Sequence, residues 1–258
     1  MTTRPAFDLS GRTALVTGAS SGLGAHMARV LAGAGARVVI GARRKDNLDA
    51  LAASIGAGGG KAHAVALDVA DEASVIAAYN EAARVFGPID TVIANAGIAI
   101  EGRATELPIA EFDRLVSVNL RGVFLTVREG AKRLIAAGSR EKENGRIVII
   151  SSITARKVYR NSAVYSASKA GVSQLGKALA LDWARQGVNV NMILPGYIGT
   201  ELTHEFFESE SGRQTLAAFP RRRLAEASDL DGALLFLASD ASQRVTGTEI
   251  VIDDGQSL

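Results

Sequence analysis

The chain has 258 residues, 47% hydrophobic and 22% charged, ordinary globular usage and enough to bury a sizeable core in one α/β unit. Its 29 Lys and Arg against 27 Asp and Glu leave a net charge of +2, too little to argue for nucleic acid. With no cysteine, disulfides, thiolate catalysis and Cys-ligated zinc are excluded, and His26, His63 and His204 lie too far apart in sequence to suggest a metal site.

In chain order, runs rich in Val and Ile predict strands over Thr13 to Val16, Arg37 to Gly41, Ala62 to Leu67, Thr91 to Ala94, Arg146 to Ile150, Asn189 to Ile193 and Glu249 to Ile252. These runs are nearly continuous in apolar residues, as strands buried on both faces are. Between them, helical patterns fill Gly22 to Ala34, Lys45 to Ile55, Glu72 to Phe86, Ile109 to Ala137, Ala163 to Gln186 and Ser228 to Ala238. Asp71 can cap the third helix, Gly87-Pro88 ends it, and Gly138 can end the fourth. The length of the fourth calls for a kink near Asn119 or Gly122.

Strand and helix in alternation make an α/β fold, a doubly wound Rossmann-like parallel sheet of about seven strands with helices on both faces. No composition break divides residues 1–258 into two domains. Ala57 to Gly60 reads as a turn, and Ser139 to Asn144 as a charged surface loop. Glu201 to Arg223 fits no strand. Insertions at the carboxyl ends of strands often cover active sites, so residues 200–223 are expected to form a lid. The Arg221-Arg222-Arg223 triplet reads as solvated loop. The first residues contain no apolar leader core, and no apolar run reaches the length of a membrane span. A soluble cytoplasmic protein with no membrane contact is expected.

The first strand runs into Thr17-Gly18-Ala19-Ser20-Ser21-Gly22-Leu23-Gly24. Between strand and helix, this spacing suits a dinucleotide pyrophosphate. Gly18 permits the tight turn, Gly22 lets backbone approach phosphate, and Gly24 lets the helix pack closely. The helix N-terminus then offers free N–H groups and a positive dipole end. NAD binders tend to carry an acid at the end of the second strand. Here the strand ends in Gly41-Ala42-Arg43-Arg44. A guanidinium can grip a ribose 2′-phosphate in a bidentate way, so NADP(H) is expected in preference to NAD(H), with NAD(H) still possible.

Tyr165 and Lys169 are four apart, about one helical turn, on one face. Of the four tyrosines, only Tyr165 is followed by a lysine at that spacing. A free phenol titrates near ~10, and poising it near neutrality takes roughly 4 kcal/mol. A cation about 4 Å away supplies a term of that order at an effective dielectric of about 20. Alone, the pair reads sooner as a surface helix pair with no function. It follows, however, on Ser151-Ser152 at the carboxyl edge of the sheet, where ligands bind in open α/β folds. Only one of the two serines should face the site.

These elements, in this order, resemble the short-chain dehydrogenase/reductase family over nearly the whole chain: Thr17-Gly18-x-x-x-Gly22-x-Gly24, Asp68, Asn95-Ala96-Gly97, Asn119, Ser152, Tyr165-x-x-x-Lys169 and Pro195-Gly196. The resemblance implies that Ser152 binds the substrate oxygen and that Tyr165 is the general acid or base. It implies that Lys169 lowers the phenol pKa and binds the nicotinamide ribose. Asn119 would hold a water linking Lys169 to solvent. Asp68, with Val69 beside it, would contact the adenine, and Asn95 would brace the sheet next to Ala96 and Gly97. Pro195, Gly196, Ile198 and Thr200 would hold the nicotinamide, together with Ser20, Ser21 and Leu23 of the glycine-rich turn around the phosphates.

Candidate substrate walls are Ile153, Thr154, Tyr159, Tyr197, Leu202, Phe206 and Phe207, which favour a hydrophobic molecule. Many members read Asp-Gly-Gly after the last strand, whereas this chain reads Asp253-Asp254-Gly255, which puts the C-terminal turn in question. The resemblance further implies a homotetramer, or else a homodimer, pairing the helices of Asn119 and Tyr165.

The resulting expectation is an oxidoreductase passing a hydride between NADP(H) and a carbonyl or secondary alcohol. Alternatives are a 3-oxoacyl thioester reductase, whose acidic carrier could meet Arg221 to Arg223, an NAD-dependent dehydrogenase of a sugar, steroid or other secondary alcohol, and a non-catalytic cofactor-sensing protein. The last should lack part of the Asn119, Ser152, Tyr165, Lys169 set, and none is lacking.

Overall fold

The computed structural model describes residues 7–199 and 206–258. Among them, seven strands form one sheet: β1 (Thr13–Thr17), β2 (Arg37–Ala42), β3 (Lys61–Ala66), β4 (Thr91–Ala94), β5 (Gly145–Ile150), β6 (Val188–Pro195) and β7 (Glu249–Ile252). Their order is β3-β2-β1-β4-β5-β6-β7, and every pairing is parallel. Parallel pairing needs crossovers, and the helices between strands supply them. Successive strand residues feed opposite cores. Ala14 and Val16 join one cluster and Leu15 the other, as do Val38 and Ile40 against Val39. The inner strands β1, β4 and β5 are therefore buried on both faces and their sequence runs nearly continuous, whereas the edge strand β3 keeps Lys61 and Ala66 exposed.

One face is covered by α1 (Gly22–Gly33), α2 (Lys45–Ala57) and α9 (Asp231–Ala238), through Met27, Leu31, Leu48, Leu51, Leu234 and Leu237. The other is covered by α3 (Glu72–Phe86), α5 (Val123–Ala136) and α7 (Ala163–Trp183), through Val75, Tyr79, Val127, Leu134, Val172 and Leu179. Asp71 caps α3 by accepting the Ala73 N–H at 3.0 Å, and Gly87 stops it at φ +81°.

The expected kink takes a defined form. Helix α4 (Ile109–Val116) passes through a π-helical turn, Ser117–Gly122, into α5. Gly122 is needed there, because a Cβ would stand 2.8 Å from Val69 Cγ2. Two expected loops turn out to be helical. Ser139–Lys142 is a one-turn helix, α6, whose Ser139 hydroxyl donates to the Gln186 carbonyl at 2.6 Å. Glu210–Ala218 is α8, capped where Ser209 Oγ accepts the Gly212 N–H at 3.1 Å. No described helix is long and apolar enough to cross a membrane.

Candidate active site

The strand order reverses between β1 and β4, so the loops leaving their carboxyl ends diverge and open a crevice. Two connected hollows fill it. The smaller, about 280 Å³, is lined by Gly18, Ser20, Ser21, Arg43, Arg44, Asp68, Val69, Ala96 and Gly97, together with Ala42, Leu67, Ile98 and Val118. The larger, about 780 Å³, runs from Ser21, Gly22, Leu23 and Gly24 past Asn95, Ala96 and Gly97 to Ser152, Thr154, Tyr165, Lys169, Pro195, Gly196, Tyr197, Ile198 and Phe206. Thr200 and Leu202 lie outside the described residues. Tyr159 stands behind the wall, its ring edge-on to Tyr197 at 5.5 Å.

The glycine-rich turn is built for close approach. Gly18 (φ +68°) has no room for a side chain, since a Cβ would stand 2.8 Å from Ala96 Cα. A Cβ on Gly24 would overlap the Gly18 carbonyl and stand 2.7 Å from Asn95 Nδ2. Gly22 is different: its φ is +52° but nothing lies within 4 Å of where a Cβ would stand. Its backbone borders open space. The N-cap of α1, Ser21, makes no side-chain cap bond, so the first-turn N–H groups are available to an anion. Asn95 ties the turn down, donating from Nδ2 to the Thr17 carbonyl at 3.0 Å.

At the end of β2, Arg43 and Arg44 are exposed on the rim of the smaller hollow. Arg44 Nη2 donates to Ser20 Oγ at 3.0 Å and to Ser21 Oγ at 2.7 Å. Its guanidinium thus lies over the turn instead of reaching into bulk solvent. Asp68 lines the opposite wall while accepting the Ala70 N–H at 3.0 Å.

The two serines divide as the strand pleat requires. Ser151 Oγ is committed to the Lys169 carbonyl (3.1 Å) and Ser173 Oγ (2.8 Å). Ser152 Oγ accepts the Thr154 N–H at 3.1 Å and hydrogen-bonds the Tyr165 phenol. Lys169 is buried, donates to the Ile150 carbonyl at 3.0 Å, and has its pKa brought down to about 8 by loss of solvent. Tyr165 departs from expectation. Lys169 Nζ is 5.7 Å from its ring centroid, and the phenol pKa is raised, not lowered. Burial is the main cause; the Ser152 hydrogen bond opposes it and Glu101 adds to it.

Asn119, in the π turn, is paired tightly with Ile98. Its Oδ1 accepts the Ile98 N–H and its Nδ2 donates to the Ile98 carbonyl, both at 2.8 Å, and Nδ2 also donates to Ser168 Oγ at 3.3 Å. Asn119 Oδ1 and Lys169 Nζ flank one point above Gly97, 3.4 and 3.6 Å from where a Cβ there would stand. Neither Ile98 nor Glu101 stood out in the sequence. A lone acid shortly after Asn95-Ala96-Gly97 was the available signal for Glu101.

The Arg triplet is less free than a solvated loop. Arg221 and Arg223 meet Asp254 at 3.0 and 2.8 Å.

Residues 12–211 match the family model for short chain dehydrogenases. The chain is 38% identical over 252 residues to D-threitol dehydrogenase of Mycolicibacterium smegmatis, covering 98% of this chain and 95% of that one. It is 41% identical over 247 residues to cis-4-hydroxycyclohexanecarboxylate dehydrogenase of Sinomonas cyclohexanicum, covering 95% and 96%. Among solved structures it is similar to a gluconate 5-dehydrogenase from Burkholderia cenocepacia in complex with NADP and tartrate, with TM-score 0.91, 34% identity and 97% of each chain covered. With a glycine-rich turn after β1, Ser152 beside Tyr165 and these matches on one chain, the protein belongs to the short-chain dehydrogenase family and is an oxidoreductase of alcohols and carbonyl compounds.

Proposed function

We propose that this enzyme prefers NADP(H) and interconverts a secondary alcohol and its ketone, with Tyr165 as the proton-transfer group. The observation that carries the chemistry is the meeting of Ser152, Tyr165 and Lys169 in the hollow that begins at Gly22. The observation that favours NADP(H) is the pair Arg43 and Arg44, with Arg44 steadied by two serine hydroxyls and no carboxylate at the end of β2.

A nicotinamide dinucleotide fits the residues present: open backbone at Gly22, an uncapped helix N-terminus, and Asp68 and Val69 on the far wall of the smaller hollow. When bound, it supplies the hydride in reduction and accepts it in oxidation. In reduction, Tyr165 gives its phenol proton to the substrate oxygen, and in oxidation it takes that proton back. Ser152 donates a hydrogen bond to the same oxygen and fixes it beside the phenol. Lys169 contributes a buried positive charge that favours phenolate. Asn119 holds Ile98 in place and, through its remaining Oδ1 lone pair, positions a water between Lys169 and solvent. Pro195, Gly196 and Ile198 would hold the nicotinamide end of the cofactor, while Thr200, expected beside them, lies outside the described residues.

Ile153, Tyr197 and Phe206 make an apolar and aromatic wall, which suits a substrate with a hydrocarbon or ring body. Of the lid expected over 200–223, the described part begins at Phe206, which stands on this wall and supports a covering role for 206–223. The thioester alternative is disfavoured because Asp254 already engages Arg221 and Arg223. A homo-oligomer through α4, α5 and α7 is supported by exposed Ile109, Phe112, Phe124 and Leu181, and light scattering on purified protein tests it. The function itself is tested by a panel of cyclic and acyclic secondary alcohols and ketones, read by nicotinamide absorbance with both cofactors. Turnover of at least one class with NADP(H) favoured is expected, and silence on every class contradicts it.

A further inference from the structure

The larger hollow carries an uneven charge. Among its described lining residues only Lys169 and Glu101 are charged. Lys169 is buried and bonded to the Ile150 carbonyl. Glu101 stands on the loop after β4, exposed, and no ion pair among the described residues engages it. Its charge is felt inside, for it raises the pKa of both Tyr165 and Tyr197.

Among the described residues no arginine lines this space to receive a carboxylate as a two-pronged fork. Arg103 pairs with Glu106 at 3.1 Å, Arg156 with Glu249, and Lys157 donates to the Gln256 and Leu258 carbonyls; Arg160, beside the Asn161 carbonyl that accepts the Gly102 N–H, is exposed and lies off the described lining. A carboxylate entering beside Glu101 would meet a like charge and no guanidinium on the described wall. A hydroxyl would fare better. Thr154 lines the same wall two residues beyond Ser152, and its covered Oγ1 has no hydrogen-bond partner among the described residues, a condition that a ligand hydroxyl would relieve once the side chain turns toward the hollow.

We infer that Glu101 makes this chamber selective for neutral, hydroxyl-bearing alcohols and their ketones, and against substrates that carry a carboxylate. This rests on the alcohol–ketone reading of the site. The structure thereby separates the reacting end, set by Ser152 and Tyr165, from a discriminating end set by Glu101 and Thr154.

Two molecules with one ring and one reacting carbinol test it: cis-1,4-cyclohexanediol, which is neutral, and cis-4-hydroxycyclohexanecarboxylate, which is anionic. The readout is the ratio of kcat/KM for acid over diol. In wild type it should lie below one, and Glu101→Gln should raise it about tenfold at low ionic strength, less in added salt. Thr154→Val should lower kcat/KM for the diol relative to cyclohexanol about fivefold, as loss of one hydrogen bond does. A ratio unmoved by Glu101→Gln, or a wild type that prefers the acid, overturns the inference.

If neither ring compound turns over, calorimetry on the NADPH-loaded proteins with cyclohexanecarboxylate and cyclohexanol gives the same comparison. Weaker binding of the acid, relieved in Glu101→Gln, supports the inference. An unchanged relative affinity overturns it, and activity on other alcohols would still uphold the proposed function. Absence of turnover on all alcohols, by contrast, would fall on that function.

Discussion

The side-chain amide of Gln256 engages both main-chain polar groups of Tyr197: Oε1 accepts the N–H at 2.6 Å and Nε2 donates to the carbonyl at 3.3 Å. The approach requires Gly196, where a Cβ would stand 2.5 Å from Gln256 Oε1. Through Tyr197 the C-terminal turn holds the chamber wall, since that ring also stacks on Phe206 and Phe219 and meets Phe207 edge-on. Gln256→Met keeps most of the volume and removes both bonds. An increase in KM of about tenfold, with kcat changed less, is expected from a displaced wall, along with a stability loss of about 1–2 kcal/mol. Steady-state kinetics beside urea unfolding check this, and an unchanged KM would show that Tyr197 is held by its ring contacts alone.

Asp254 explains how the C-terminal turn tolerates its unusual residue. It sits at φ +52°, a region that favours glycine, next to Gly255 at φ +83°. Asp is among the few side chains that accept this conformation, and here its carboxylate gains Arg221 and Arg223. Asp254→Gly relieves the backbone but frees the arginines, so its effect on stability should stay within about 0.5 kcal/mol. Asp254→Ala keeps the strain and loses the pairs, so it should be less stable than both wild type and Asp254→Gly. Thermal unfolding of both variants checks the contrast.

Cofactor preference turns on the end of β2. Ala42→Asp combined with Arg43→Ala places a carboxylate where a ribose hydroxyl would be bound and removes one cation. The NADPH over NADH ratio of kcat/KM should fall by at least about tenfold, the equivalent of one charged hydrogen bond. Parallel kinetics with the two cofactors decide it.

Lys169 exacts a stability penalty that depends on pH. Burial brings its pKa down to about 8, below the ~10.4 of a free lysine. Between those values the unfolded chain binds more protons than the folded one, so stability rises with pH through that window. Below pH ~8 the folded protein must keep a buried charge. Lys169→Met should therefore be more stable than wild type at neutral pH, by ~1–3 kcal/mol after the lost bond to Ile150 is counted. The advantage should shrink as pH passes 8 toward 10. Melting curves across this range check the sign, and activity should be lost throughout.

Much of the sheet was legible because burial on both faces leaves a plain mark. Thr91–Ala94 and Glu249–Ile252 match the expected strands end to end. The bond partners that fix the site were not legible, because they join distant residues. Gln256 reaches Tyr197 across 59 positions, and Asn119 reaches Ile98 across 21. The kink near Gly122 could be foreseen from helix length, but its π form and the close approach of Gly122 to Val69, distant in sequence, could not. Helix α8 escaped notice because a nine-residue segment with a weak apolar face carries little periodicity. The tyrosine–lysine spacing was visible, whereas the burial that raises the Tyr165 pKa was not.

In the proposed function Tyr165 moves the proton, and Tyr165→Phe removes only the hydroxyl that does so. The phenyl ring preserves packing and leaves Ser152 and Lys169 in place. With any substrate the wild type turns over, kcat should fall by about 10²–10⁴-fold, while NADPH affinity, measured by fluorescence titration, stays within about threefold of wild type. Near-normal turnover with NADPH still bound would contradict the account.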